Sequence, residues 1–265
     1  MDFGKLLGDS FAYAKDGLLG NPGTWVLLIV LALLPVIPFV LAVLAMIPLL
    51  IGGGMPDIPT VAGLVIVAVV AAVLLGAFYM GYMLKIFRGE VPLPAVSGFG
   101  KMFTDGIKYI VIHIIYAIPV LIILGITIGG AILAALSAGP DIGMESILPV
   151  IGGAFAGILV AVIVAIILGL IAYIGIIRFA RTGKIGEAFN FSAIFATIGR
   201  IGWGSYILAL IIGGVAIVIV QVVVGLIPYI GGVIQLIISP FITVFFTRYI
   251  TLIYETGEPR APSPA

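Results

Sequence analysis

The sequence predicts an all-α polytopic membrane protein, with six transmembrane helices in three parallel repeats, each an amphipathic helix followed by a helical hairpin. Three observations carry that expectation. Of the 265 residues, 63% are apolar and 9% are charged, where a soluble domain carries about 25% charged residues. Too few charges remain to cover a water-facing surface, so a soluble globular fold is excluded and lipid is the solvent that fits. All 12 Lys and Arg residues fall in alternate connections between apolar stretches. Short motifs also recur along the chain at matching places in each hairpin.

A spanning helix needs about 20 mostly apolar residues. Six stretches qualify: 25–51, 61–84, 110–136, 147–177, 205–227 and 230–254. The last two form one apolar run, which Pro228-Tyr229-Ile230-Gly231-Gly232 cuts as a tight hairpin does. Pro35, Pro38 and Pro48 interrupt the first span, Pro119 the third and Pro240 the sixth. Each removes a backbone donor and bends its helix.

Before the first span come Lys5 and Lys15. Lys85, Arg88, Lys101 and Lys108 lie between spans two and three, and Arg178, Arg181, Lys184 and Arg200 between spans four and five. Arg248 and Arg260 close the chain. The remaining connections hold no cation, only Asp57, Asp141 and Glu145. By the positive-inside rule both termini are expected in the cytoplasm, with the protein in the cell membrane. The arm before Trp25 contains Asp2, Asp9 and Asp16, unlike the short basic start of a signal peptide, so the first span is expected to be retained.

Self-comparison matches Phe3-Gly4-Lys5-Leu6-Leu7-Gly8-Asp9 with Phe99-Gly100-Lys101-Met102-Phe103-Thr104-Asp105, and more weakly with Phe191-Ser192-Ala193-Ile194-Phe195-Ala196-Thr197. Arg88-Gly89-Glu90, Thr182-Gly183-Lys184 and Thr256-Gly257-Glu258 follow the even spans. The chain therefore reads as a single membrane domain, 1–265, with repeats at 1–90, 91–184 and 185–258 and a disordered tail at 259–265. Apolar residues at i, i+3 and i+4 give each lead-in segment one helical face. Phe3, Leu7, Phe99, Phe103, Phe191 and Phe195 are the expected interfacial anchors, seated among acyl chains with charges facing water. Two readings stay open: anchors that set the angle of the next span, or a functional face that docks a cytoplasmic partner or senses lipid packing.

The repeated Phe-x-x-Leu/Met/Ile-Leu/Phe segment, the Gly81-Tyr82-x-x-Lys85-x-x-Arg88-Gly89 exit and Gly186-Glu187-Ala188-Phe189 resemble the domain of unknown function 4013 family, over about residues 5 to 255. The resemblance implies a largely archaeal type of multi-span protein without an assigned activity. It supplies no catalytic, cofactor or binding residues.

The chemistry-bearing residues are few. No Asp, Glu, Lys or Arg occupies the middle of a span, which counts against coupled transport. Lys85, Arg178 and Arg248 sit at span ends, where they are expected to snorkel to headgroups. His113 is the sole histidine and cysteine is absent, so no metal site, disulfide or Cys nucleophile is expected. Gln221 and Gln235 flank the last hairpin, while Ser239, Thr243 and Thr247 repeat every four residues along the sixth span. They are expected either to bond within and between helices or to line a narrow polar path. No nucleophile elbow or phosphate loop occurs, so an enzyme is not expected, nor is a cofactor. A net charge of +1 gives no basic excess for nucleic acid.

The function expected is a non-enzymatic integral membrane protein acting through membrane lipids or a cytoplasmic or membrane protein partner. The alternatives are a passive small-solute transporter or channel and the membrane subunit of an exporter.

Overall fold

The computed structural model describes residues 1–51, 57–137 and 144–258. Asp141, Arg260 and the expected tail 259–265 lie outside them. The described residues form helices and turns without a strand: α1 (Phe3–Leu19), α2 (Pro22–Leu33), a 3₁₀ turn (Leu34–Val36), α3 (Ile37–Ile51), α4 (Ile58–Phe87), α5 (Phe99–Ser137), α6 (Met144–Thr182), a second 3₁₀ turn (Ile185–Phe189), α7 (Phe191–Ile201), α8 (Trp203–Gly225) and α9 (Gly231–Thr256). Six stretches are long and apolar enough to cross a membrane: Pro22–Pro48, Ile58–Phe87, Phe99–Ala134, Leu148–Thr182, Trp203–Gly225 and Gly231–Thr256. The protein is polytopic and all-helical.

Local chemistry explains the boundaries. Asp2, Asn21, Asp57 and Asn190 cap α1, α2, α4 and α7, each accepting from the amide three residues on, at 2.9, 3.2, 3.0 and 3.3 Å. Such caps satisfy one of the orphan donors at a helix start. Gly89 and Gly183 end α4 and α6 at φ 84° and 71°, the left-handed backbone that a glycine adopts without steric cost. Gly257 lacks that conformation (φ −94°). It is small for another reason: a Cβ there meets Ile201 Cγ1 at 2.6 Å. Pro35 falls in the 3₁₀ turn that joins α2 to α3, whereas Pro48, Pro119 and Pro240 lie inside helices that continue past them. Between α8 and α9 the chain turns through 226–230, with Tyr229 fully exposed at φ 63°.

One expectation needs correction. The second lead-in segment is not a separate short helix; Phe99 and Phe103 lie in the first turns of the 39-residue α5. The first segment stops at Gly20-Asn21-Pro22, and the third at Gly202 with φ 90°. Nothing comparable breaks the backbone between Lys101 and Ile110, so the helix runs on into the span.

Burial is uneven. The most apolar windows of the first five spans are only 11–17% buried, against 39% in α9, which makes α9 the central helix. The core gathers at the end of the bundle that carries both described termini. There the last turns of α4 (Tyr82, Leu84, Ile86), α6 (Ile174, Ile177, Phe179) and α9 (Tyr249, Ile250, Ile253) are almost fully buried. These three helices touch pairwise, and the lead-in segments brace them from outside: α1 lies on α9, the start of α5 on α4, and α7 on α6.

Apolar faces have no hydrophobic drive to associate in lipid, so close packing and hydrogen bonds do the work. Gly81 lies against the Met102 carbonyl and Gly106 against the Ala77 carbonyl. Phenol hydroxyls tie separate elements together through backbone carbonyls: Tyr82 donates to Pro94 (2.8 Å), Tyr206 to Leu170 (2.6 Å) and Tyr249 to Ala209 (2.8 Å). Each satisfies a hydroxyl that is costly to bury alone.

Candidate functional site

Residues that sequence reasoning marked as a polar path are spread along α9 and engaged locally. Gln235 Nε2 donates to Gln221 Oε1, linking α9 to α8 next to the hairpin. Ser239 Oγ donates to Leu236 O at 2.9 Å. Pro240 has no N–H for that carbonyl, so the serine fills the gap that the proline opens. Thr243 donates to Ser239 O at 2.9 Å. Thr247 is buried and faces Met83 Sδ on α4 at 3.5 Å. These hydroxyls bond to their own helix or a neighbour.

Lys85 and the described arginines are held by protein groups. Lys85 donates to the carbonyls of Ala95 (3.1 Å) and Ser97 (2.7 Å). Arg88 pairs with Asp105 and donates to Ala180 O. Arg178 pairs with Glu187. Arg181 reaches Glu255 at 2.7 Å and Glu258 at 2.8 Å, with its guanidinium over the Tyr254 ring. Arg248 lies over Tyr13, 3.7 Å from Glu255. Arg200 donates to Gly257 O at 2.7 Å. Guanidinium groups thus link the ends of α4, α6, α7 and α9 into one network. Sequence reasoning missed the partners, although Glu255 and Glu258 stand at i, i+3, on one face of the α9 exit.

The hydrogen bond from Arg178, helped by Asn190, holds the Glu187 carboxyl below the ordinary range. A depressed carboxylate stabilises the fold above its unfolded value, and that contribution is lost as pH falls through the folded value. Acid below the usual Glu range is therefore expected to loosen the 3₁₀ turn at Ile185–Phe189. Hydrogen exchange on that turn checks this: its acid dependence disappears in Glu187→Gln.

A lateral apolar cleft of about 670 Å³ opens between α1, α2, α8 and α9. Leu7, Gly8 and Phe11 of α1 form one wall, Trp25 of α2 caps it, and Ile217 of α8 and Phe241 of α9 face them. The Trp25 indole donates to Ile237 O at 2.8 Å, and Phe11 and Trp25 both pack on Phe241, at 5.4 and 6.4 Å. No spacing within one helix announces this cleft, because four helices build it.

The expected anchors divide into two groups. Phe99, Phe191 and Phe195 are exposed. Phe103 is half-buried against Phe78 at 5.2 Å, while Phe3 and Leu7 pack on the core. Phe103→Asp puts a charge against Phe78 and is expected to lower insertion yield or thermal stability, read by membrane fractionation and melting in detergent. His113 bonds to the Tyr109 carbonyl of its own helix at 3.0 Å. Among the described residues no group of three His, Asp or Glu side chains is placed to hold a metal ion.

No curated protein and no solved structure matches the chain. The family described as protein of unknown function (DUF4013) matches residues 64–229, a range running from α4 to the α8–α9 turn and narrower than the resemblance read from the motifs. With that match over more than half of its length, the chain belongs to the DUF4013 family.

Proposed function

We propose that this is a non-enzymatic protein of the cell membrane, with both termini cytoplasmic, that works by engaging bilayer lipid along its flank. The single observation that carries the reading is where the free space lies. The axis at the terminal end is filled by Tyr82, Tyr249 and Phe179, and its guanidinium groups are bonded to carboxylates or carbonyls, while the 670 Å³ cleft is lateral and apolar. A solute path needs polar groups along the axis; a lipid site needs apolar walls open to the side. The side assignment follows from the cation distribution.

Passive transport is the second reading, favoured by the Gln221–Gln235 pair beside the outer hairpin. Flux into sealed liposomes separates the two. Liposomes holding the purified protein are expected to retain small solutes as well as empty ones do, with Gln221→Leu indistinguishable from wild type. Solute-selective leakage that Gln221→Leu abolishes defeats the lipid reading.

A further inference from the structure

The geometry points to a resident hydrocarbon chain of one bilayer lipid in the cleft between α1, α2, α8 and α9. This deepens the lipid-contact reading and rests on it. The walls are apolar side chains apart from the indole, whose N–H is already given to Ile237 O. Water there finds no partners, and a dry site of this kind takes an apolar guest.

Size and setting choose the guest. A helix is about 10 Å wide, so 670 Å³ admits roughly one and a half turns of it, too little to seat a segment from a second copy. An alkyl chain is far narrower and follows the cleft. Phe11 and Val220, both lining the cleft, are 51% and 41% exposed. The cleft is thus continuous with the surface that lipid covers.

Gly8 leaves the space open. A Cβ built on it meets nothing within 4 Å, although Gly8 lines the cleft. A glycine at an exposed position inside a helix costs stability relative to other residues. Room for the guest accounts for it.

The test uses Trp25 as the reporter. Trp203→Phe removes the only other tryptophan. The full-length protein is reconstituted in phosphatidylcholine vesicles brominated on the acyl chains, then exchanged against excess unbrominated lipid in mixed micelles. Trp25 emission is expected to stay partly quenched after boundary lipid has exchanged, and lipid extraction to recover brominated lipid with the protein. Gly8→Phe fills the cleft and is expected to lose the retained quenching. Gly214→Phe, on α8 but away from the cleft and also facing open space, is expected to keep it. If Gly8→Phe does not fold, Ala216→Phe fills the opposite wall and serves the same purpose. Full recovery of emission in the parent, or equal retention in the cleft-filled and control proteins, overturns the resident chain. Either result with liposomes still tight leaves the broader lipid reading standing, while solute leakage removes that reading independently.

Discussion

Gly81→Val and Gly106→Val are each expected to push α4 away from α5 and destabilise the bundle by about 3 kcal/mol or more, the upper range for overpacking. The cause is backbone, not side chain. A Cβ on Gly81 comes within 1.8 Å of Met102 O, and one on Gly106 within 1.7 Å of Ala77 O. A rotamer change relieves neither contact, so the helices must separate, and the neighbouring Tyr82 loses its register with Pro94. Gly125→Val and Gly129→Val are the controls, since a Cβ at either meets nothing within 4 Å. Melting of the detergent-solubilised proteins reads the difference: a loss of roughly 6–12 °C for the first pair and little change for the second.

Arg181→Met is the other large effect. Arg181 holds two carboxylates at once, Glu255 and Glu258, with 24% of its side chain exposed. Its removal leaves Glu255 on α9 and Glu258 just beyond it without their main partner, and the α6–α9 junction is expected to weaken by about 2–4 kcal/mol, below the full cost of orphaning a buried charge because some solvent reaches the site. Adding Glu255→Gln and Glu258→Gln removes the stranded charges and is expected to recover part of the loss. A double-mutant cycle on thermal stability measures the coupling. Additive effects contradict the network as a cooperative unit.

These two cases mark what was legible in the sequence. The spans were, because about 20 apolar residues is a length rule that needs no partner. So was the hairpin, where Pro228 and Gly231 bracket a break that the structure places at 226–230. The glycines were not. Gly125-x-x-x-Gly129 and Gly153-x-x-x-Gly157 have the spacing of close-packed helices, yet only Gly157 approaches a neighbour, Thr127 Oγ1 at 2.2 Å from its Cβ. Gly106, whose environment matters as much as any, has no small residue four positions away, and Gly81 has only Ala77. Whether a glycine is needed depends on which backbone lies opposite, and that is a tertiary fact.

The candidate site divides the same way. Ser239 is explained by the proline that follows it, a local relation. Gln221 and Gln235 flank a short turn, so their meeting was also within reach of the sequence. Arg181 meets Glu255 from 74 residues away, and the cleft takes walls from both ends of the chain. The cations could be counted by connection but not read as members of ion pairs, because charge counting assigns no partners.

The account stands on hairpins threaded through lipid, with the basic connections and the ion-paired core on the inner face. Single cysteines test this directly, since the chain has none of its own. A membrane-impermeant maleimide is expected to label Asp57→Cys in intact cells, and Lys184→Cys only after the cells are opened. Labelling of Lys184→Cys in intact cells, or of Asp57→Cys only after opening, contradicts the threading.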